Sequence, residues 1–152
     1  MQRSLKIAFI TLALCGAAPW AEAGAAAPSA ETLAVSATDA QAIRAVVQAQ
    51  LDAFAADDAN RAFALAAPKI REQFGDADTF ISMVRSGYPV VYRPASTEFM
   101  VPQWVAGEII QSVRMTDDRG TLWLASYVLQ RQPDKSWRIA GCAVTEIEGR
   151  VT

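Results

Sequence analysis

The chain has 152 residues, of which 52% are hydrophobic and 20% charged, a balance that belongs to a folded globular protein rather than a disordered one. Its 14 basic side chains face 16 acidic ones with no basic run, so a nucleic-acid surface has no electrostatic support. There is no histidine, which excludes Ser-His-Asp and Cys-His nucleophile arrangements, histidine-containing zinc sites and histidine acid–base chemistry.

The first element is an expected export signal at 1–23. Arg3 and Lys6 supply the positive start, Ile7 to Leu14 forms an apolar run, and Ala21-Glu22-Ala23 fits a small-x-small cleavage site. The run is shorter than the ~20 residues of a membrane span, so no span is expected in the mature chain and the compartment read from it is periplasmic or extracellular. Cleavage after Ala23 leaves 129 residues, the size of one domain, with a net charge of −3. Cys15 leaves with the signal, and Cys142 then has no partner for an intramolecular disulfide.

Residues 24–37, dominated by Ala, Ser and Gly with Pro28, read as a flexible leader. A single domain is expected over 38–148, with a short tail at 149–152. Thr38 or Asp39 suits a helix cap, and Ile43, Val46, Val47, Leu51 and Phe54 follow at helical spacing. Asp57-Asp58 breaks that pattern and suits the cap of a shorter helix with Ala62, Phe63 and Ala66. Pro68 suits the first position of a helix closed by Gly75. Asp76 or Asp78 starts another, with Phe80, Met83 and Val84 inward, ended by Gly87.

Tyr88-Pro89 then reads as extended, since a residue before proline avoids the helical region. Val90 to Tyr92 and Thr97 to Val101 read as short edge or connecting strands between prolines. Trp104 to Met115 reads as one long strand, and Asp117-Asp118-Arg119-Gly120 as a turn. The last two strands flank Gln132 to Ser136, whose Pro133 and Asp134 suit a hairpin turn. Helices first and antiparallel strands after is the α+β pattern.

Asp57-Asp58, Ala67-Pro68, Phe74, Phe80-x-x-Met83-Val84, Tyr88-Pro89, Arg93-Pro94, Tyr127 and Trp137-Arg138-Ile139-x-Gly141-Cys142 together resemble the bacterial family catalogued as domain of unknown function 4864. The resemblance runs from about Asp39 to Val144 and is carried most by the Trp-Arg-Ile-x-Gly-Cys element. It implies helices packed on a strongly curved antiparallel sheet around a pocket, the cystatin-like cone of nuclear transport factor two-like and SnoaL-like proteins. It implies no activity, because cones of this kind serve enzymes and non-enzymes alike.

The ligand-binding candidates are Tyr88, Tyr92, Arg93, Trp104, Gln111, Tyr127 and Arg138; Glu146 is a further polar residue on the strands. Trp104, Trp123, Tyr127 and Trp137 suit either a stacking platform for a flat apolar ligand or cross-strand packing. Arg93 beside Pro94 suits a surface or loop-anchoring contact better than a carboxylate clamp. Asp57 or Asp58 with Tyr88 or Tyr127 nominally suits proton transfer, yet adjacent aspartates between helices are more simply caps. No residue is assigned a catalytic role. Cys142 reads as a small buried hydrophobe rather than a reactive thiol, with Arg138 placed four residues away on the same strand face. The carboxylate groups sit at turns and suit capping better than calcium, so neither metal nor cofactor is expected. These features point to a binding module for a small apolar ligand or a protein partner. The alternatives are an isomerase-, cyclase- or dehydratase-type enzyme and an envelope dimerisation module; a homodimer through an open sheet face fits the first and last.

Overall fold

The computed structural model describes residues 34–150, with side chains to 148. The expected signal and most of the leader lie outside the described residues. Among the described residues five helices precede five strands: α1 Ala37–Ala55, α2 Ala59–Ala64, α3 Pro68–Phe74, α4 Ala77–Gly87, α5 Pro89–Tyr92, then β1 Ser96–Phe99, β2 Gln103–Val105, β3 Glu108–Thr116, β4 Thr121–Arg131 and β5 Trp137–Arg150.

The helix boundaries follow capping chemistry. Ser36, not Thr38 or Asp39, caps α1: its Oγ accepts the Asp39 N–H at 3.1 Å and donates to the Asp39 carboxylate at 3.0 Å. Asp39 is the third helical residue, so its carboxylate folds back on the cap as in a capping box. Asp58 caps α2 by accepting Arg61 N–H at 3.0 Å, and Asp76 caps α4 by accepting Thr79 N–H at 2.7 Å. Pro68 opens α3, and Gly75 closes it at φ +79°. A Cβ at Gly75 would meet nothing within 4 Å, so the cost of Gly75→Ala is purely that of the left-handed backbone. Denaturant titration should show a loss of about 1 kcal/mol.

All strand pairings are antiparallel, with β1 and β2 both on one side of β3, followed by β4 and β5. The α+β class is established by these pairings; the strong curvature of a cone is not. On one face of the sheet Ile109, Val113 and Met115 of β3 and Ala125, Tyr127 and Leu129 of β4 are buried at every second position, the period of a half-covered sheet. The helices lie on that face, α1 and α3 against β5 and α5 against β3. From α1 come Ile43, Val47, Leu51 and Phe54, whose spacing makes one stripe.

Three strand expectations need correction. Val90 to Tyr92 is the short helix α5: Pro89 sits at its first position, and the N–H groups of Val91 and Tyr92 both reach the Tyr88 carbonyl, at 2.9 and 3.0 Å. Proline's fixed φ suits that place as well as a strand start. Trp104 to Met115 is two strands, because Ala106 (φ +51°) and Gly107 (φ +83°) make a two-residue turn between β2 and β3. Both positive φ values match the hairpin turn whose twist suits the flanking strands. Of Thr97 to Val101 only the part up to Phe99 is strand, in β1 (Ser96–Phe99), an edge strand as expected.

The turn at Asp117 to Gly120 is as expected, with the Asp117 carboxylate accepting N–H groups of Arg119 and Thr121, both at 2.9 Å, and the Trp123 indole N–H at 3.0 Å. The indole N–H, more than the backbone donors, holds the Asp117 carboxyl below its usual range. The closing β4–β5 hairpin turns through Gln132 to Ser136, with the Gln132 N–H reaching the Ser136 carbonyl at 2.8 Å.

β5 does not keep a simple alternation. Val128 pairs with Gly141 but Leu129 with Ile139, leaving Ala140 as an extra residue in a bulge. Ile139 and Cys142, three apart, therefore both point toward the helices. Arg138 does not share a face with Cys142 as simple alternation requires.

Candidate functional site

Between the helices and the β4–β5 face lies a cavity of about 270 Å³. Its walls are mostly apolar. α1 supplies Phe54, α4 supplies Phe80 and Val84, α5 supplies Val91, and β5 supplies Ile139. Phe80 is the hub, its ring 6.1 Å from Phe54, 5.5 Å from Phe63 and 5.5 Å from the edge-on Phe74. The more exposed Ile70, Gln73, Met83 and Tyr88 form the rim.

The α2–α3 connection closes one side by docking on the sheet. Ala66 bridges to Ile139 in parallel sense; the Ala67 N–H donates to the Ile139 carbonyl at 2.8 Å, and the Ile139 N–H donates to the Leu65 carbonyl at 3.0 Å. Two backbone bonds thus fix this wall against the bulge that aims Ile139 and Cys142 inward.

Three polar side chains face the cavity from within. Gln50, 3% exposed, donates its amide to the Ala62 carbonyl at 3.1 Å and ties α1 to α2. Tyr127, 1% exposed, has a hydroxyl with no hydrogen-bond partner. Cys142 lies directly across on β5, paired with Tyr127 in the ladder and projecting from the same face. The thiol acts on the phenol both by charge and through a weak polar contact, which falls outside hydrogen-bond geometry. Burial, and then the facing Cys142, raises the Tyr127 phenol well above its usual range. Burial likewise pushes the Cys142 thiol up to about 12, against a weaker opposing pull from the Tyr127 hydroxyl. Both groups are neutral at physiological pH, and the thiol lacks thiolate character.

A pH dependence follows from these directions. Each group holds its proton longer folded than unfolded, so its stabilising effect is complete below the unfolded pKa, near 8.5 for a thiol. Above that the unfolded chain binds fewer protons, and the Cys142 contribution declines until pH reaches about 12. Thermal unfolding from pH 8 to 11 should show falling stability, and Cys142→Ala should flatten the first part of the fall. At neutral pH the native thiol should react with a disulfide reagent far more slowly than after denaturation.

The candidates named from the sequence occupy different places. Tyr88 and Tyr127 line the cavity. Gln111 is directly opposite Tyr127 on β3 and fully buried. Its amide donates to the Met100 carbonyl at 2.6 Å and the Ser112 carbonyl at 2.9 Å, substituting for ladder bonds where the chain breaks between β1 and β2; its Oε1 has no partner. Tyr92 is core, beside Phe54 at 6.1 Å, with its hydroxyl accepting from Arg85 at 3.0 Å. Arg93 donates to Asp57 at 2.9 Å, while Arg85 donates to the other Asp57 oxygen at 3.4 Å, and both guanidinium groups lie over the Tyr92 ring. These half-exposed pairs anchor loops and contribute little to stability. Trp104 is exposed on β2, and Arg138 turns back to the Trp137 carbonyl at 3.0 Å on the face away from the cavity.

Gln50 was missing from the sequence-derived candidates, though it sits seven residues after Ile43 on the apolar stripe of α1, where a polar side chain must find a buried partner. Among the described residues no Asp or Glu lines the cavity, and no three His, Cys, Asp or Glu side chains group closely enough to hold a metal. No described helix is long and apolar enough to cross a membrane.

No curated protein and no solved structure matches the chain. The family model for the domain of unknown function DUF4864 does match, over residues 36–152, and the chain belongs to that family.

Proposed function

We propose that the domain is a binding module for a small molecule, held in the cavity between Phe54, Phe80 and Tyr127. One observation carries this reading: Tyr127 lines an apolar cavity, and its buried hydroxyl has no hydrogen-bond partner. A buried unpaired hydroxyl costs about 1–3 kcal/mol, so its retention makes sense where a ligand completes it. Small-molecule sites combine an apolar wall with a few placed polar groups, and this cavity has that composition. Native mass spectrometry of protein purified from its own compartment tests the reading. A retained small molecule, lost when Cys142→Leu fills part of the cavity, supports it; bare protein that also takes up no added hydrophobic small molecule contradicts it.

The enzymatic alternative needs a carboxylate at the cavity, and Asp57 is engaged instead by Arg85 and Arg93 on the surface. The Tyr127 phenol without a base is a binding group. The Arg3, Lys6 and Ile7 to Leu14 pattern supports export as part of the same proposal; amino-terminal sequencing of the periplasmic protein should begin at Gly24.

A second reading, self-association, is favoured by the exposed Met100, Val101, Trp104 and Val105, which cluster around β2 with Val101 78% exposed. The same native spectra should show a dimer that Val105→Lys abolishes; a monomer at all concentrations contradicts it.

A further inference from the structure

Resting on the binding reading above, we propose that the ligand is an uncharged, mostly apolar molecule of about ten non-hydrogen atoms that presents one hydrogen-bond acceptor to the Tyr127 hydroxyl. Size comes from the volume. An apolar cavity of about 150 Å³ accommodates benzene, and scaling that to about 270 Å³ gives this upper size.

Neutrality comes from the walls. No Lys, Arg, Asp or Glu is among the lining residues, and the ion cluster of Asp57 with Arg85 and Arg93 is already paired on the surface. A carboxylate or ammonium ligand would lose its water with no opposite charge to meet it, which costs several kcal/mol. The Tyr127 phenol and Cys142 thiol remain protonated and offer no compensating charge to a cation.

The acceptor requirement comes from what the polar groups lack. One Gln50 amide N–H is committed to the Ala62 carbonyl, whereas the Tyr127 O–H has no hydrogen-bond partner. The Cys142 sulfur beside it is only a weak acceptor and lies outside hydrogen-bond geometry, which leaves the phenol proton without a good partner. A carbonyl, ether or ring-nitrogen acceptor supplies the missing half.

Three probes of one shape and equal heavy-atom count separate these requirements: acetophenone, α-methylstyrene and benzoate. Each is titrated at neutral pH into the wild-type chain and into Tyr127→Phe, with amide NMR shifts as readout. The wild type should bind acetophenone about tenfold more tightly than α-methylstyrene, the worth of one net hydrogen bond. Benzoate should move no cavity resonance. Tyr127→Phe should erase the acetophenone advantage and leave α-methylstyrene unchanged. Benzoate binding as tightly as acetophenone, or equal affinity for the two neutral probes in the wild type, overturns this ligand class while leaving the binding reading intact. Failure of all three to bind removes the binding reading as well. If Tyr127→Phe does not fold, the wild-type comparison alone decides.

Discussion

Replacing Phe54 by alanine is expected to lower the unfolding free energy by about 3–5 kcal/mol, which approaches the whole stability of a marginal domain. Phe54 is 1% exposed at the C-terminal end of the α1 stripe, with Phe80 and Tyr92 each 6.1 Å away, centroid to centroid. It is the residue through which α1, α4 and α5 are packed together. Its loss removes the transfer free energy of a full aromatic ring and merges a new void with the existing cavity, so the surroundings cannot easily collapse to compensate. Chemical denaturation of Phe54→Ala should show the midpoint shift; Phe54→Leu, which keeps most of the volume, should lose much less. A loss under 1 kcal/mol for the alanine variant would mean that the helices do not depend on this ring.

Tyr127→Phe should act in the opposite direction on the empty protein. Removing one oxygen leaves the ring in place and deletes a buried hydroxyl without a hydrogen-bond partner, so the unliganded domain should gain about 1–2 kcal/mol. Most core substitutions destabilise, which makes a gain diagnostic. The stabilising substitution should also cost ligand affinity, the expected trade where a site keeps a polar group for function. A clear loss of stability in thermal unfolding would show that the hydroxyl has a partner in the empty state.

Much of this architecture was legible in the residues. The α1 stripe, the Asp58 and Asp76 caps, Pro68 and Gly75 around α3, and the final hairpin all announce themselves through local chemistry that the fold leaves unchanged. Val90 to Tyr92 was illegible because a short apolar run after proline satisfies strand and helix patterns equally, and packing against α1, α4 and β3 decides it. The β2–β3 turn was hidden because Ala106 takes a left-handed conformation usually given to Asn, Asp or Gly.

The site was half legible for a similar reason. Tyr127 was named as a strand candidate and Gln50 was passed over despite its helical spacing, while the bulge at Ala140 reverses the parity of β5. Counting by twos from Cys142 puts Arg138 in the cavity, whereas the extra residue turns it to the opposite face and brings Ile139 in. Gly141 inside the strand is a general sign of irregularity, but the position of the bulge is fixed by the backbone bonds between Ile139 and the Leu65–Ala67 segment. Tyr92 and Arg93 were drawn toward the site by residue type alone; the Tyr92 hydroxyl is taken by Arg85, and the Arg93 partner Asp57 lies on the surface, 36 residues away in sequence.

The most direct test is a crystal structure of the domain under xenon pressure, since xenon enters dry apolar cavities without needing a hydrogen bond. Xenon should occupy the space bounded by Phe54, Phe80 and Tyr127. A site filled instead by collapsed side chains, with no xenon between the helices and the β4–β5 face, would contradict the binding cavity and everything inferred about its ligand.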